Sequence, residues 1–322
     1  MEHYPVYDFH CDLLSHLAGL ENGTPYDTDG IGCAVPHLQQ GGVAFQVMAL
    51  FSLTEQGSTD HGWKQARLFR ETLLNDTPEL GKFGEQASDN AIQILPAIES
   101  ASVFCEEDEP LDSGFEKLNA IEQETGKVLY ISLTHHAENR FGGGNYASKG
   151  LTTDGQELLR VMNEKNIAVD FSHTSDALAY DMMDFMEKEG LQLPVLASHS
   201  NYRSVYNHVR NLTDDIVREI VKRKGIIGLN LVREFLHPTH PEVLYEHIQY
   251  GMEFGHEHIV WGTDYFPSFL FNEPERIPYF FPEHEHAGKL PHIIADSPLD
   301  EIQKKAICNE NAVKFLARHY AG

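Results

Sequence analysis

The sequence predicts a (β/α)8 barrel. Two observations carry that prediction. Eight short, aliphatic and β-branched runs are separated by segments of helical periodicity, and six of the eight runs end at a metal-ligating or titratable side chain. Nearly continuous apolar runs are the mark of parallel strands covered on both faces. In a barrel the C-terminal strand ends converge on one pocket. A doubly wound open sheet, the alternative, would gather such residues at its switch point instead. A length of 322 residues suits one large barrel, read here as a single domain over 1–322.

The first run, Val6 to His10, leads into His10-Cys11-Asp12. Residues i and i+2 of a strand share a face, so His10 and Asp12 project together and Cys11 points away as a packing residue. A short helix around Pro36 to Gln40 precedes the second run, Val43 to Phe51. Trp63 to Leu74 carries apolar residues at helical spacing. The third run, Ile92 to Glu99, ends in a carboxylate. The fourth, Val128 to His135, is followed by His136 and by the Gly-rich Phe141 to Asn145. That stretch lacks phosphate-loop spacing and reads as an active-site loop or a turn.

Thr152 and Thr153 are candidate caps for a helix holding Leu158 to Asn163, before the fifth run, Ala168 to His173. Ser175 is placed to cap a helix to Glu189, with Gly190 just past its end. Pro194 to Ser200, the sixth run, contains His199. Thr213 starts a helix ending near Lys224-Gly225, followed by the seventh run, Gly225 to Val232. A helix at Val243 to Phe254 leads to the eighth run, Ile259 to Phe266, which contains Asp264. The stretch from Pro267 to Pro298 stands where a barrel carries its catalytic loops. Helical sequence closes the chain at Leu299 to Ile307 and Asn311 to Tyr320.

The formal charge of −25 disfavours nucleic acid and anionic membrane surfaces as partners. Four widely spaced cysteines form no C-x-x-C pair, so neither a zinc knuckle nor a redox motif is expected. No apolar run reaches the roughly 20 residues needed to span a bilayer. The N-terminus reads as free of a signal peptide, so the cytoplasm is the expected location.

A single His at a strand end is more often structural than a ligand, Glu99 alone could accept hydrogen bonds, and Asp264 alone could cap a helix. Together, His10, His135, His173, His199, Asp12, Glu99 and Asp264 can hold two divalent metals and leave groups over for catalysis. Mixed imidazole and carboxylate ligation suits Zn²⁺, with Mn²⁺ or Co²⁺ as substitutes. A carboxylate can bridge two such ions, and a water bound between them is a hydroxide near neutral pH. His284 and His286 look ligand-like by spacing but read as lid or surface residues. His16, His37 and His61 belong to no pattern.

In this order the motifs resemble the renal (membrane) dipeptidase family of the amidohydrolase superfamily. They are Asp8-Phe9-His10-Cys11-Asp12, Ala97-Ile98-Glu99, Leu133-Thr134-His135, Val169 to His173, Ser198 to Asn201, His208 to Asn211, Gly262-Thr263-Asp264 and Asn309-Glu310-Asn311. The resemblance implies that His10 and Asp12 bind one zinc, that His173 and His199 bind a second, and that Glu99 bridges them. It further implies that His135 polarises the substrate, Arg210 holds the dipeptide carboxylate, and Asp264 is the acid/base. Family tolerance of a D-residue at the C-terminal position implies L-Xaa-D-Xaa substrates, and homodimers are common among relatives.

The family's usual Asp-Phe-Asp-Gly reads Asp264-Tyr265-Phe266-Pro267 here, and Val209 replaces a proline. These departures bear on substrate preference. Two rival readings stand beside the dipeptidase. One is an amidohydrolase acting on a non-peptide amide, lactone or ester. Many of those use a bridging lysine from the fourth strand, whereas Lys127 lies at the wrong end of it. The other is a catalytically silent barrel, which would be expected to have lost a metal or acid/base residue.

Overall fold

The computed structural model describes residues 4–85, 90–267 and 278–320. Its strands are β1 (Val6–Cys11), β2 (Val43–Phe51), β3 (Leu80–Lys82), β4 (Ile92–Glu99), β5 (Tyr130–Ser132), β6 (Ala168–Asp170), β7 (Val195–Ala197), β8 (Ile226–Leu229) and β9 (Ile259–Trp261). All pairings between them are parallel. The order β2-β1-β9-β8-β7-β6-β5-β4 closes on itself because β2 also pairs with β4. This is the expected (β/α)8 barrel. The sequence reading missed β3, a three-residue ribbon along the N-terminal end of β4.

Several strands stop short of the predicted runs. His135, His173, His199 and Asp264 lie two or three residues beyond the last paired residue of β5, β6, β7 and β9. There the regular ladder has ended, although the Asp264 amide still donates to the His10 carbonyl at 3.2 Å. His173 and Asp264 adopt left-handed φ values of 61° and 62°, as does Ser100 beside Glu99 at 73°. Such conformations in non-glycine residues cost about 1–3 kcal/mol each and cluster at functional sites.

β1 departs from simple alternation. Asp8 pairs with Gln46 and Cys11 with Met48, so three steps on β1 face two on β2. This is the signature of a β-bulge. The extra residue lets the consecutive Phe9 and His10 both serve the barrel interior. Phe9 packs with Phe45, Val47 and Leu95, and His10 stands above them in the site. Cys11 faces the outer layer, its Sγ 3.6 Å from Met48 Sδ, as predicted. Asp12 is not on the strand; it occupies the N-cap position of the helix Leu13–Gly19. The face shared by His10 and Asp12 is therefore made by a bulge and a turn rather than by strand alternation.

Two apolar layers hold the barrel. One lies between strands and helices. The other fills the barrel, where Ala312, Phe315 and Leu316 of the helix Asn311–His319 pack under Phe9, Ala97 and Leu129. Thr152 and Ser175 cap their helices through the amides of Gly155 and Leu178, and Gly190 takes the left-handed conformation. Four α-helices among the described residues were not read from the sequence: Leu13–Gly19 after β1, Leu111–Thr125 between β4 and β5, the single turn Arg233–Leu236 after β8, and Leu290–Asp296 inside the stretch taken as loop. The rest of that stretch falls partly on residues 268–277, outside the described residues.

Candidate active site

Glu99 is the centre of the site. It is buried, and its two oxygens face two different sets of nitrogen and oxygen atoms. Oε2 lies 3.7 Å from His10 Nε2. Oε1 lies 2.8 Å from His173 Nε2, 3.4 Å from His199 Nε2 and 3.9 Å from His135 Nε2. His10 Nε2 is also 3.7 Å from Asp12 Oδ2 and 3.7 Å from Asp264 Oδ1. Ligand atoms of His10, Asp12 and Glu99 form one group that could hold a cation, and those of Glu99, His173 and His199 form another. The structure thus brings together every strand-end residue singled out in the sequence.

Hydrogen bonds from the scaffold set the tautomers. Tyr130 Oη donates to the Phe9 carbonyl at 3.0 Å, so it accepts from His10 Nδ1 at 2.8 Å. Ser198 Oγ donates to Asp170 Oδ2 at 2.6 Å, so it accepts from His199 Nδ1 at 2.7 Å. In their neutral forms both rings then present an Nε2 lone pair toward Glu99, the arrangement of a metal-ligating imidazole. Asp170 also accepts from Ser132 Oγ and from the amides of Ser172 and Ser198, which ties β5, β6 and β7 together. Asp8 plays the same part for β1 and β9, accepting from the amide and hydroxyl of Thr263.

The donor set fits metal ions on its own chemistry. His10 Nε2 and Asp12 Oδ1 are buried without a hydrogen-bond partner. His173 Nε2 and His199 Nε2 stand 2.8 Å apart, and the His199 atom carries a lone pair. Buried polar atoms rarely remain unsatisfied, and a cation would satisfy all of these. Burial disfavours a charged His10, but the nearby carboxylates of Glu99, Asp12 and Asp264 outweigh it and push His10 up to about 10. A metal must displace that proton. Zinc uptake by metal-free protein at pH 8 is expected to release at least one proton, seen as buffer-dependent enthalpy in calorimetry. The His10→Ala variant should release fewer.

Asp264 carries a pKa raised to about 7, chiefly by burial, against the lowering influence of His10. Asn230 Nδ2 orients it by donating to Oδ2 at 2.7 Å. Burial holds His135 and His173 well below the ordinary histidine range, so both rings are neutral near pH 7. Arg210 is buried beneath the site. It donates to Ser200 Oγ at 2.8 Å and to the His199 carbonyl at 2.9 Å, yet no carboxylate lies within ion-pair distance among the described residues. A buried guanidinium without a counter-charge is costly unless a ligand supplies one.

A cavity of about 360 Å³ opens onto this cluster. Asp12, Glu99, His135, His173 and Asp264 line its metal-ligand end, and Phe51, Val232, Phe235 and Phe266 form apolar walls. The Gly-rich loop is a tight turn: a β-carbon at Gly144 would fall 1.9 Å from the His135 carbonyl oxygen. His136, given no role from sequence, also lines the cavity and bonds to Asn145 at 3.0 Å. Tyr130, Ser198, Asp170 and Asn230 were missed as supporting groups. His284 and His286 stand outside the cluster, and His286 stacks on His37 at 4.3 Å.

Comparison with known proteins points to one family. Residues 1–295 match the family described as membrane dipeptidase, peptidase family M19. An uncharacterised dipeptidase of Schizosaccharomyces pombe is 30% identical over 149 residues, covering 43% of this chain and 35% of that protein. The match therefore spans only about a third of that relative's length. An uncharacterised protein of Acinetobacter calcoaceticus is 23% identical over 297 residues, covering 78% of this chain and 90% of its own. Among solved structures, the M19 metallopeptidase named dipeptidase AC superposes over the full length of both chains with a TM-score of 0.82 at 19% identity. A Rhodobacter sphaeroides metallopeptidase, solved with a phosphinate mimic of L-Ala-D-Ala, superposes over 99% of this chain and 100% of its own with a TM-score of 0.75 at 18% identity. At these identities the superpositions speak for the fold alone. The family match, running over most of the chain, does more: this chain belongs to the membrane dipeptidase family, peptidase family M19.

Proposed function

We propose that this single-domain barrel is a dipeptidase holding two zinc ions, the first on His10 and Asp12, the second on His173 and His199, with Glu99 shared. The observation that carries the reading is the two-sided Glu99, whose oxygens face separate imidazole sets at 2.8–3.7 Å. Zinc held there supplies Lewis acidity and makes water a nucleophile near neutral pH.

The remaining roles belong to side chains of this chain. Asp264, raised toward neutrality, takes a proton from the attacking water and returns it to the leaving amine. Neutral His135 donates a ring N–H to the developing oxyanion. Arg210 receives the dipeptide's free carboxylate, which supplies the counter-charge its burial requires, in the two-pronged geometry guanidinium favours. L-Xaa-D-Xaa dipeptides fall within the substrate range. The four cysteines are buried and unpaired, which suits a reducing cytoplasm. No helix among the described residues is long and apolar enough to cross a membrane.

The test is amino-acid release from a panel of L-Xaa-L-Xaa and L-Xaa-D-Xaa dipeptides, paired with elemental analysis. Turnover abolished by 1,10-phenanthroline and restored by zinc is expected, with close to two metal equivalents per chain. No chelator-sensitive release from any dipeptide would sink the proposal.

A further inference from the structure

Away from the metal-ligand end, the cavity lining among the described residues holds one charged side chain, Glu234. It follows β8, is about half exposed, and shares the cavity lining with Phe235, Tyr146 and Tyr279. Its one ion-pair contact among the described residues is His208 Nε2, at 3.8 Å. His208 is half-buried, and burial together with Arg210 and Arg203 keeps its pKa below the ordinary value despite Glu234. Near pH 7.5 the Glu234 charge is therefore not neutralised by its neighbour.

Glu234 belongs to the Arg210 side of the pocket. His208 Nδ1 accepts from the Arg210 amide at 3.2 Å, and the Arg210 guanidinium stands 5.6 Å from the Phe235 ring centre. Tyr146 feels both charges. With a substrate's free carboxylate placed at Arg210, its C-terminal side chain could follow the apolar wall at Phe235 toward Glu234. Such a wall receives the methylene stem of a lysine or arginine, and the charged head reaches the carboxylate at the wet rim.

We infer that Glu234 makes this pocket select dipeptides whose C-terminal residue carries a cationic side chain. The inference rests on the dipeptidase reading and on Arg210 as carboxylate anchor. It also agrees with a net charge of −25, which draws cationic substrates toward the molecule.

The test compares kcat/KM for Ala-Lys and Ala-norleucine, for Ala-Arg and Ala-citrulline, for Ala-Glu, and for Lys-Ala. D and L forms of the C-terminal residue are assayed at low and high salt. The cationic member of each pair is expected to be favoured about fivefold, mainly through KM, with the ratio shrinking as salt rises. Glu234→Gln should equalise the pairs, and Glu234→Lys should favour Ala-Glu. Zinc content and thermal melting confirm that both variants fold. Equal rates for lysine and norleucine in the wild type would overturn the inference while leaving a dipeptidase. Preference surviving in Glu234→Gln, or appearing with Lys-Ala instead, would overturn it too. Hydrolysis of no dipeptide at all would remove the reading beneath it, and the inference with it.

Discussion

Glu99→Gln is expected to lower dipeptide turnover by well over the roughly 100-fold typical of losing a group that merely orients a metal ligand. Bound zinc should fall from about two equivalents to one or fewer. The reason is geometric. Each carboxylate oxygen faces its own imidazole set, and an amide keeps the shape of the side chain but offers one weak oxygen and an N–H donor. That donor would point at a nitrogen lone pair's intended cation. Burial and the neighbouring Asp12 and Asp264 raise the pKa of Glu99, against the lowering influence of His10. Removing its charge therefore relieves crowding among carboxylates in the metal-free protein, so the variant should fold well. Elemental analysis, steady-state kinetics and circular dichroism decide the matter. Wild-type zinc content in Glu99→Gln would refute a bridging role.

Asp264→Asn should leave zinc content nearly intact while lowering kcat by about 10²–10⁴-fold, the usual worth of a positioned general base. Its pH behaviour is separately diagnostic. Burial raises the metal-free carboxyl from 3.8 to about 7. Bound dications would pull that value down, so the acid limb of kcat/KM is expected at or below pH 7, and the Asn variant should lack it. Stability follows the same group with a definite sign. A carboxyl with a raised folded-state pKa keeps a proton that the unfolded chain has already lost. Its contribution therefore becomes increasingly unfavourable as pH rises from about 4 through 7. The melting temperature of metal-free wild type should decline more over that window than that of metal-free Asp264→Asn. A parallel decline in both proteins would show that Asp264 is not the group titrating.

The fold was legible because parallel barrel strands must be apolar on both faces, and Ile92 to Glu99 or Val43 to Phe51 can be little else. β3 was not, since three residues containing a glycine carry no periodic signal. The helix Leu111–Thr125 did carry one, with Leu111, Phe115, Leu118 and Ile121 on one face, and went unread. Site residues at strand ends announced themselves by chemical type. Their supports did not. Tyr130 and Asn230 reach His10 and Asp264 from other strands, and Ser198, next to His199 in the chain, is itself fixed by Asp170 of β6; nothing local distinguishes a tyrosine that accepts from His10 from one that merely packs. Glu234 was equally silent, because a glutamate after a strand is ordinary until a cavity is seen beside it.

The bulge in β1 has a consequence for how such a barrel can vary. Below it the strand keeps the inside–outside rhythm that packs Phe9 onto Phe45, and above it the rhythm is shifted by one position. Six residues thus contain two independent phases, one tuned to packing and one to chemistry. Deleting either Phe9 or His10 would close this bulge and leave the strand with only the packed ring or only the ligand imidazole, so a strand that alternated at every step could not turn both inward from consecutive positions.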